Sequence, residues 1–180
     1  MLRIISGEWG SRRIQTPPGD GTRPTSDRAR EGLFSSLALQ GGERVLDLFA
    51  GSGALGIESL SRGAENAVFC EQDSRAAACI RTNLASLGAE SQGRVIEADW
   101  TVGCGNLARD GARFDVVFVD PPWAQTAKVG EQLLDLLKPL LAPGAVLVVE
   151  SASSEPMEVS LRRLREKRYG DTLIRFYESE

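Results

Sequence analysis

Val45-Leu46-Asp47-Leu48-Phe49-Ala50-Gly51-Ser52-Gly53-Ala54-Leu55-Gly56 is the stretch on which the fold turns. Val45–Phe49 makes a short apolar strand, the glycines break it into a turn, and residues 53–62 continue as a helix. Gly51, Gly53 and Gly56 have the GxGxxG spacing, in the strand–turn–helix context the motif requires. The same alternation continues downstream. Ala67–Glu71 reads as a second strand, and a helix starts near Asp73 or Ser74, buries Ala77, Ile80, Leu84 and Leu87, and stops at Gly88. Arg94–Ala98 and Phe114–Val119 read as further strands, the latter continuously apolar after Asp115, as in a central parallel strand. Val129, Leu133, Leu136, Leu137 and Leu140 stripe another helix that Pro139 must kink or shorten, and Ala145–Glu150 is the fifth strand. A basic helix over about 156–166 is then expected, followed by a hairpin turning near Gly170-Asp171.

Upstream, Leu2–Ser6 and Arg12–Thr16 read as two short strands around the turn Gly7-Glu8-Trp9-Gly10. Pro17-Pro18-Gly19-Asp20-Gly21 is a loop, and Thr25 or Ser26 can cap a helix striped by Ala29, Leu33, Phe34 and Leu37 and ended by Gly41-Gly42. The expected fold is therefore α/β: a doubly wound, mostly parallel, seven-stranded Rossmann-like sheet. A C-terminal antiparallel hairpin and a short N-terminal β-hairpin extension complete it. Residues 1–40 form the extension and residues 41–180 the main domain.

Composition narrows the chemistry. The chain of 180 residues contains no histidine, which excludes a Ser-His-Asp triad, an HExxH zinc site and a histidine proton shuttle. Cys70, Cys79 and Cys104 include no CxxC pair, so buried reduced cysteines and no metal are expected. No apolar run approaches the roughly 20 residues of a membrane span. Residues 1–30 lack a signal-peptide core, so a cytoplasmic location and no membrane partner are expected. Charge is segregated within the net −4: residues 1–30 carry +3, residues 161–180 carry +2, and the middle carries −9. Basic ends beside an acidic middle suit a polyanion-binding face next to a site that avoids polyanions.

Acids recur where strands end. Asp47 comes late in the first strand of the glycine motif, where it would repel a pyrophosphate but favour the amino group and sulfonium of S-adenosylmethionine. That cofactor is favoured over a dinucleotide, which remains the alternative. Glu71, about 20 residues past the glycines, suits a ribose diol in either class. Asp99 is expected to accept from an adenine amino group, with Trp100 lining the adenine pocket; Phe49, Gly51, Gly53 and Gln72 complete the expected cofactor contacts, together with Asp120.

Asp120-Pro121-Pro122-Trp123 follows the fourth strand. Two prolines hold an extended backbone and remove two N–H donors, leaving carbonyl acceptors. Asp120 and the Pro121 carbonyl can together accept both N–H bonds of a base's exocyclic amine and turn its lone pair toward the methyl donor. Pro122 stiffens the loop, and Trp123 offers a flat face to a base that has left its stack. A cytosine-C5 methyltransferase would need a cysteine in this loop, and none is present.

These segments resemble the class I amino-methyltransferases. Arg23-Pro24-Thr25-Ser26-Asp27-Arg28-Ala29-Arg30-Glu31 with Leu33-Phe34, the opening Arg3-Ile4-Ile5-Ser6-Gly7 and the closing Lys167-Arg168-Tyr169-Gly170-Asp171-Thr172 are similar to the RsmD family over nearly the whole chain. The resemblance implies methylation of the N2 amine of one guanine in 16S rRNA, in the small ribosomal subunit or an assembly intermediate; a monomer is expected. Trp123 stands where the family more often has Tyr. Asp-Pro-Pro-Trp also resembles adenine-N6 methyltransferases, so an adenine target stays open, as does a non-catalytic RNA-binding assembly factor. Arg12, Arg13, Arg23, Arg28 and Arg30 are the expected phosphate contacts if the hairpin folds over the sheet's carboxyl edge; internal pairing of Arg28 or Arg30 with Asp27 or Glu31 is the alternative.

Overall fold

In the computed structural model, residues 1–17 and 27–180 are described. A two-stranded hairpin, β1 (Leu2–Arg3) and β2 (Arg13–Ile14), precedes α1 (Asp27–Leu37). Then follow β3 (Arg44–Asp47), α2 (Ala54–Ser61), β4 (Asn66–Glu71), α3 (Ser74–Leu87), β5 (Gly93–Glu97) and α4 (Trp100–Arg109). The chain closes with β6 (Phe114–Val119), α5 (Thr126–Leu137), β7 (Leu141–Ala152), β8 (Arg162–Tyr169) and β9 (Thr172–Glu178). The main sheet has the order β5-β4-β3-β6-β7-β9-β8, parallel from β5 to β7, with β9 antiparallel to both its neighbours. The expected seven-stranded doubly wound sheet with an antiparallel C-terminal hairpin is present.

Strand order runs outward from β3 to β5 and then returns to β6. The β3/β6 boundary is thus the switch point, where such sheets open a ligand crevice at their carboxyl edge. Local chemistry sets the helices that flank it. Asp73 caps α3 by accepting from the amides of Arg75 and Ala76, and Gly88, at φ 72°, ends it. Gly56 lets α2 lie close on β4, since a Cβ there would fall 2.3 Å from the Phe69 ring.

Each sheet face carries its own apolar layer. Val45, Phe69, Val116, Phe118 and Val148 pack against α1–α3 and the N-terminal hairpin. Leu46, Val68, Val117, Val119 and Leu147 pack against α4 and α5. The hairpin joins the first layer through Ile4, Trp9 and Ile14. Buried Glu58 on α2 fixes it, accepting from the amides of Ile5 (2.7 Å) and Ser6 (3.1 Å) and from Arg62 Nε (2.7 Å). Glu58→Ala would leave those donors without their partner. A loss of about 3 kcal/mol of stability is expected, read as a lower urea midpoint with early proteolytic clipping near residue 10. An unchanged midpoint would refute this anchoring role.

Several sequence expectations need correction. No helix forms over 156–166: residues 156–161 are irregular and Arg162–Tyr169 is strand. Met157, Leu161 and Leu164 have helical spacing, but pairing with β9 prevails. It places Glu158 and Glu166 at 2.8 Å from the buried Arg175 guanidinium. The sequence does not signal helix α4, because Gly103 and Gly105 lower its propensity. A parallel β5–β6 crossover nevertheless requires a helix-sized connection, and a Cβ at Gly103 would fall 2.5 Å from Cys70 Sγ. Pro139 sits in a 3₁₀ turn, Lys138–Leu140, and the following strand starts at Leu141 rather than Ala145. The N-terminal strands are shorter than expected. The proposed caps Thr25 and Ser26, most of the Pro17–Gly21 loop and Arg23 lie outside the described residues.

Candidate active site at the carboxyl edge of the sheet

Asp47, last in β3, is buried, and its Oδ2 accepts from the Gly56 amide in the first turn of α2 at 3.0 Å. Burial pushes its carboxyl up to about 7, against the Gly56 hydrogen bond and aided by the charge of Glu71. Glu71, last in β4, holds the glycine turn: Oε2 accepts from the Gly51 amide and Oε1 from the Asp73 amide, both at 2.8 Å. Gly51 and Gly53 take φ 55° and 78°, which lets the backbone turn sharply into α2. A Cβ at Gly51 would meet nothing within 4 Å, so the turn presents open backbone to the crevice. Gln72 is exposed beside it.

Asp99 caps α4, accepting from the Thr101 amide at 2.9 Å and from Thr101 Oγ1 at 2.5 Å. Trp100 is buried, with its ring tilted against the half-buried Phe49 at 5.8 Å between centroids. Asp120 follows β6 and is partly buried. Burial, then the charges of Glu150 and Asp47, holds its carboxyl well above the ordinary carboxylate range. Pro121 is buried, while Pro122 is exposed and extended at φ −51° and ψ 132°. The loop then tightens into a single 3₁₀ turn, Trp123–Gln125, closed by a 2.7 Å bond from the Gln125 amide to the Pro122 carbonyl. Trp123 heads that turn and is 45% exposed, a ring on the rim rather than in the core.

Glu150 is a further acid at this edge, outside the set expected from the sequence. Val119 pairs with Val149, so the next residues in parallel register, Asp120 and Glu150, stand side by side. Alternation puts Asp47, Asp120 and Glu150 on the α1–α3 face of three adjacent strands. Its signal was visible: Val146-Leu147-Val148-Val149 ends in an acid, the pattern read at Asp47, Glu71 and Asp120.

A raised carboxyl means the folded chain binds protons more tightly than the unfolded one. For Asp47 the stability of the free protein is therefore highest below about 4 and falls as pH rises through about 7. Asp120 contributes in the same direction. A cation placed beside these acids reverses that penalty.

The arginines divide. Arg12 donates to the Ser86 carbonyl (2.5 Å) in the last turn of α3. That helix returns the chain to the start of β5, so Arg12 lies toward the amino edge. The hairpin turn, against Ser61 at the end of α2, lies there too and does not cover the carboxyl edge. Arg30 is 1% exposed and donates to Asp27 Oδ1 (2.6 Å) and the Arg3 carbonyl (2.8 Å), so the internal alternative applies to it. Arg13 and Arg28 are exposed. All three cysteines are free and buried, and burial pushes the Cys70 and Cys104 thiols up to about 12, too high for nucleophiles. Among the described residues no helix is long and apolar enough to cross a membrane.

Comparison with known proteins identifies the family. The family profile Conserved hypothetical protein 95 matches residues 2–178. Ribosomal RNA small subunit methyltransferase D of Escherichia coli K12 is 38% identical, covering 100% of this chain and 91% of that protein. Its Haemophilus influenzae counterpart is 34% identical over 99% of this chain and 94% of its own length. The structure of a putative methyltransferase of Escherichia coli superposes with a TM-score of 0.84 at 37% identity, covering 99% of this chain and 98% of the other. The resemblance carried by the glycine turn, Asp120–Trp123 and the N-terminal Arg-rich segment thus extends to the whole fold, and the chain belongs to the family of the ribosomal RNA small subunit methyltransferase D proteins.

Proposed function

We propose that the chain transfers a methyl group from S-adenosylmethionine to the exocyclic N2 amine of a guanine in 16S rRNA, presented by the small subunit or an assembly intermediate. The observation that carries this reading is the convergence of Asp47, the glycine turn, Glu71 and Asp120–Trp123 on one switch-point crevice. The names of the Escherichia coli and Haemophilus influenzae relatives support the acceptor class.

The residues present fit the cofactor. The open backbone at Gly51 leaves room for a nucleoside, and each Glu71 oxygen keeps a lone pair for a ribose hydroxyl. The buried Asp47 carboxyl gains most from a nearby cation. When bound, S-adenosylmethionine supplies a methyl group on a positively charged sulfur. Asp120 and the Pro121 carbonyl accept the two N–H bonds of the amine and aim its lone pair; Asp120 or water takes the proton after transfer. Trp123 stacks on the displaced base. Positioning and water exclusion supply most of the catalysis, so the lack of histidine is no obstacle. Residues 1–40 serve as an RNA-binding extension of a monomeric cytoplasmic enzyme, through Arg28 and Arg23, while Arg12 and Arg13 stay with the hairpin away from the carboxyl edge.

Single-turnover methylation of undermethylated small subunits, with the product nucleoside identified, tests the proposal. N2-methylguanine is expected, and N6-methyladenine would transfer the claim to the adenine reading. Trp123→Ala should be severe and Trp123→Tyr mild, because stacking a base on an aromatic ring contributes roughly 1–3 kcal/mol. Equal activity in both variants would remove Trp123 from the mechanism. Cofactor binding should also release a proton near neutrality, since Asp47 sits at about 7 without a cation beside it. Affinity is then expected to rise from pH 6 to pH 8, with calorimetric heats that depend on the buffer's ionisation enthalpy. A flat profile would place the cation elsewhere.

A further inference from the structure

Strand β8 forms one edge of the sheet, and its basic side chains are not all compensated. Arg162 pairs with Glu178 at 2.8 Å and Arg163 with Glu166 at 3.3 Å. Arg168 donates to Ser153 Oγ at 2.8 Å. Arg165 and Lys167 differ: they stand opposite Phe176 and Ile174, which belong to the apolar layer on the α1 side. They therefore share the sheet face of Asp47 and Asp120, and no carboxylate meets either one among the described residues.

Helix α1 extends this positive face. Tyr169, next on the same side of β8, packs so tightly on Gly32 that a Cβ there would lie 1.7 Å from the phenol oxygen. Arg28 is four residues before Gly32, one turn back on the same side of the helix, and is exposed. The far end of α1 lies lower: Ser36 and Leu37 line a groove of about 320 Å³ with Leu164, Arg165 and Val146 of early β7. Arg28 thus stands at the carboxyl edge, near the end of β8 that carries Lys167.

We propose that Arg28, Lys167 and Arg165 form a phosphate-binding track for the RNA strand next to the target nucleotide. This rests on RNA being the acceptor. Three strand spacings separate β8 from β6, or about 14 Å at roughly 4.8 Å each, which a few nucleotides can span. Basic side chains on an edge strand can instead serve to block sheet-to-sheet pairing, and the two roles are separable.

Binding of undermethylated small subunits is measured across a salt series. Arg165→Ser/Lys167→Ser should weaken binding and reduce the log–log salt slope by about 1.4–1.8, at roughly 0.7–0.9 per lost phosphate contact. Arg162→Ser/Arg163→Ser, from the paired set, should leave the slope unchanged. The exchange Arg165→Lys/Lys167→Arg should restore the wild-type slope, which separates lost charge from misfolding. An unchanged slope in the first variant, with or without self-association, would overturn the track, as would an equal loss in the paired set. Failure of the acceptor reading looks different: the wild-type protein would then bind cofactor and methylate no subunit.

Discussion

Asp120→Ala is expected to lower turnover by on the order of 100-fold or more while the cofactor stays bound, because in the proposed mechanism it removes an acceptor that matters most as the amine attacks. The structure adds a second expectation. Asp120 stands beside Glu150 and on the same face as Asp47, and their charges raise its carboxyl. Removing one of three crowded acids relieves repulsion, so Asp120→Asn should melt at a higher temperature than wild type. It should also keep more activity than Asp120→Ala, because an amide oxygen still accepts and the proton can leave through water. Single-turnover rates and thermal melts on the same preparations check both points. Full activity in Asp120→Ala would sink the mechanism.

At Asp47 the second large effect is expected. Asp47→Asn keeps an acceptor for the Gly56 amide but loses the charge. Cofactor affinity should fall by about 30-fold or more, since loss of one partner of a buried charge pair costs about 2–5 kcal/mol. Asp47→Ala should weaken the cofactor at least as much and also destabilise α2. Glu71→Ala frees the Gly51 and Asp73 amides together, so it should loosen the turn as well as weaken cofactor binding. RNA affinity should change little in all three. Calorimetry showing unchanged cofactor affinity would reject the assignment.

The sheet and its crevice were legible because β3, β4 and β6 are apolar runs that each end at or just before an acid, and glycines mark the turn. Helix α4 was hidden by its own glycines, whose value lies in contact with Cys70 rather than in helix propensity. The false helix over 156–166 arose because an edge strand exposed to water can carry helical spacing by chance; only its partner β9, later in the chain, decides it. Arg30 and Arg12 show the limit for charge: composition places positive residues near an end, but Asp27, Arg3 and Ser86 determine where each guanidinium points.

The three tryptophans differ sharply in exposure: Trp9 and Trp100 are 6% and 8% accessible, Trp123 45%. The protein consequently carries its own optical reporter. A collisional quencher in solution reaches the rim indole and spares the other two, so the quenchable share of the emission reports Trp123 alone. Shielding of that share on addition of subunits would time the arrival of the base, with no label attached and no methyl group yet transferred.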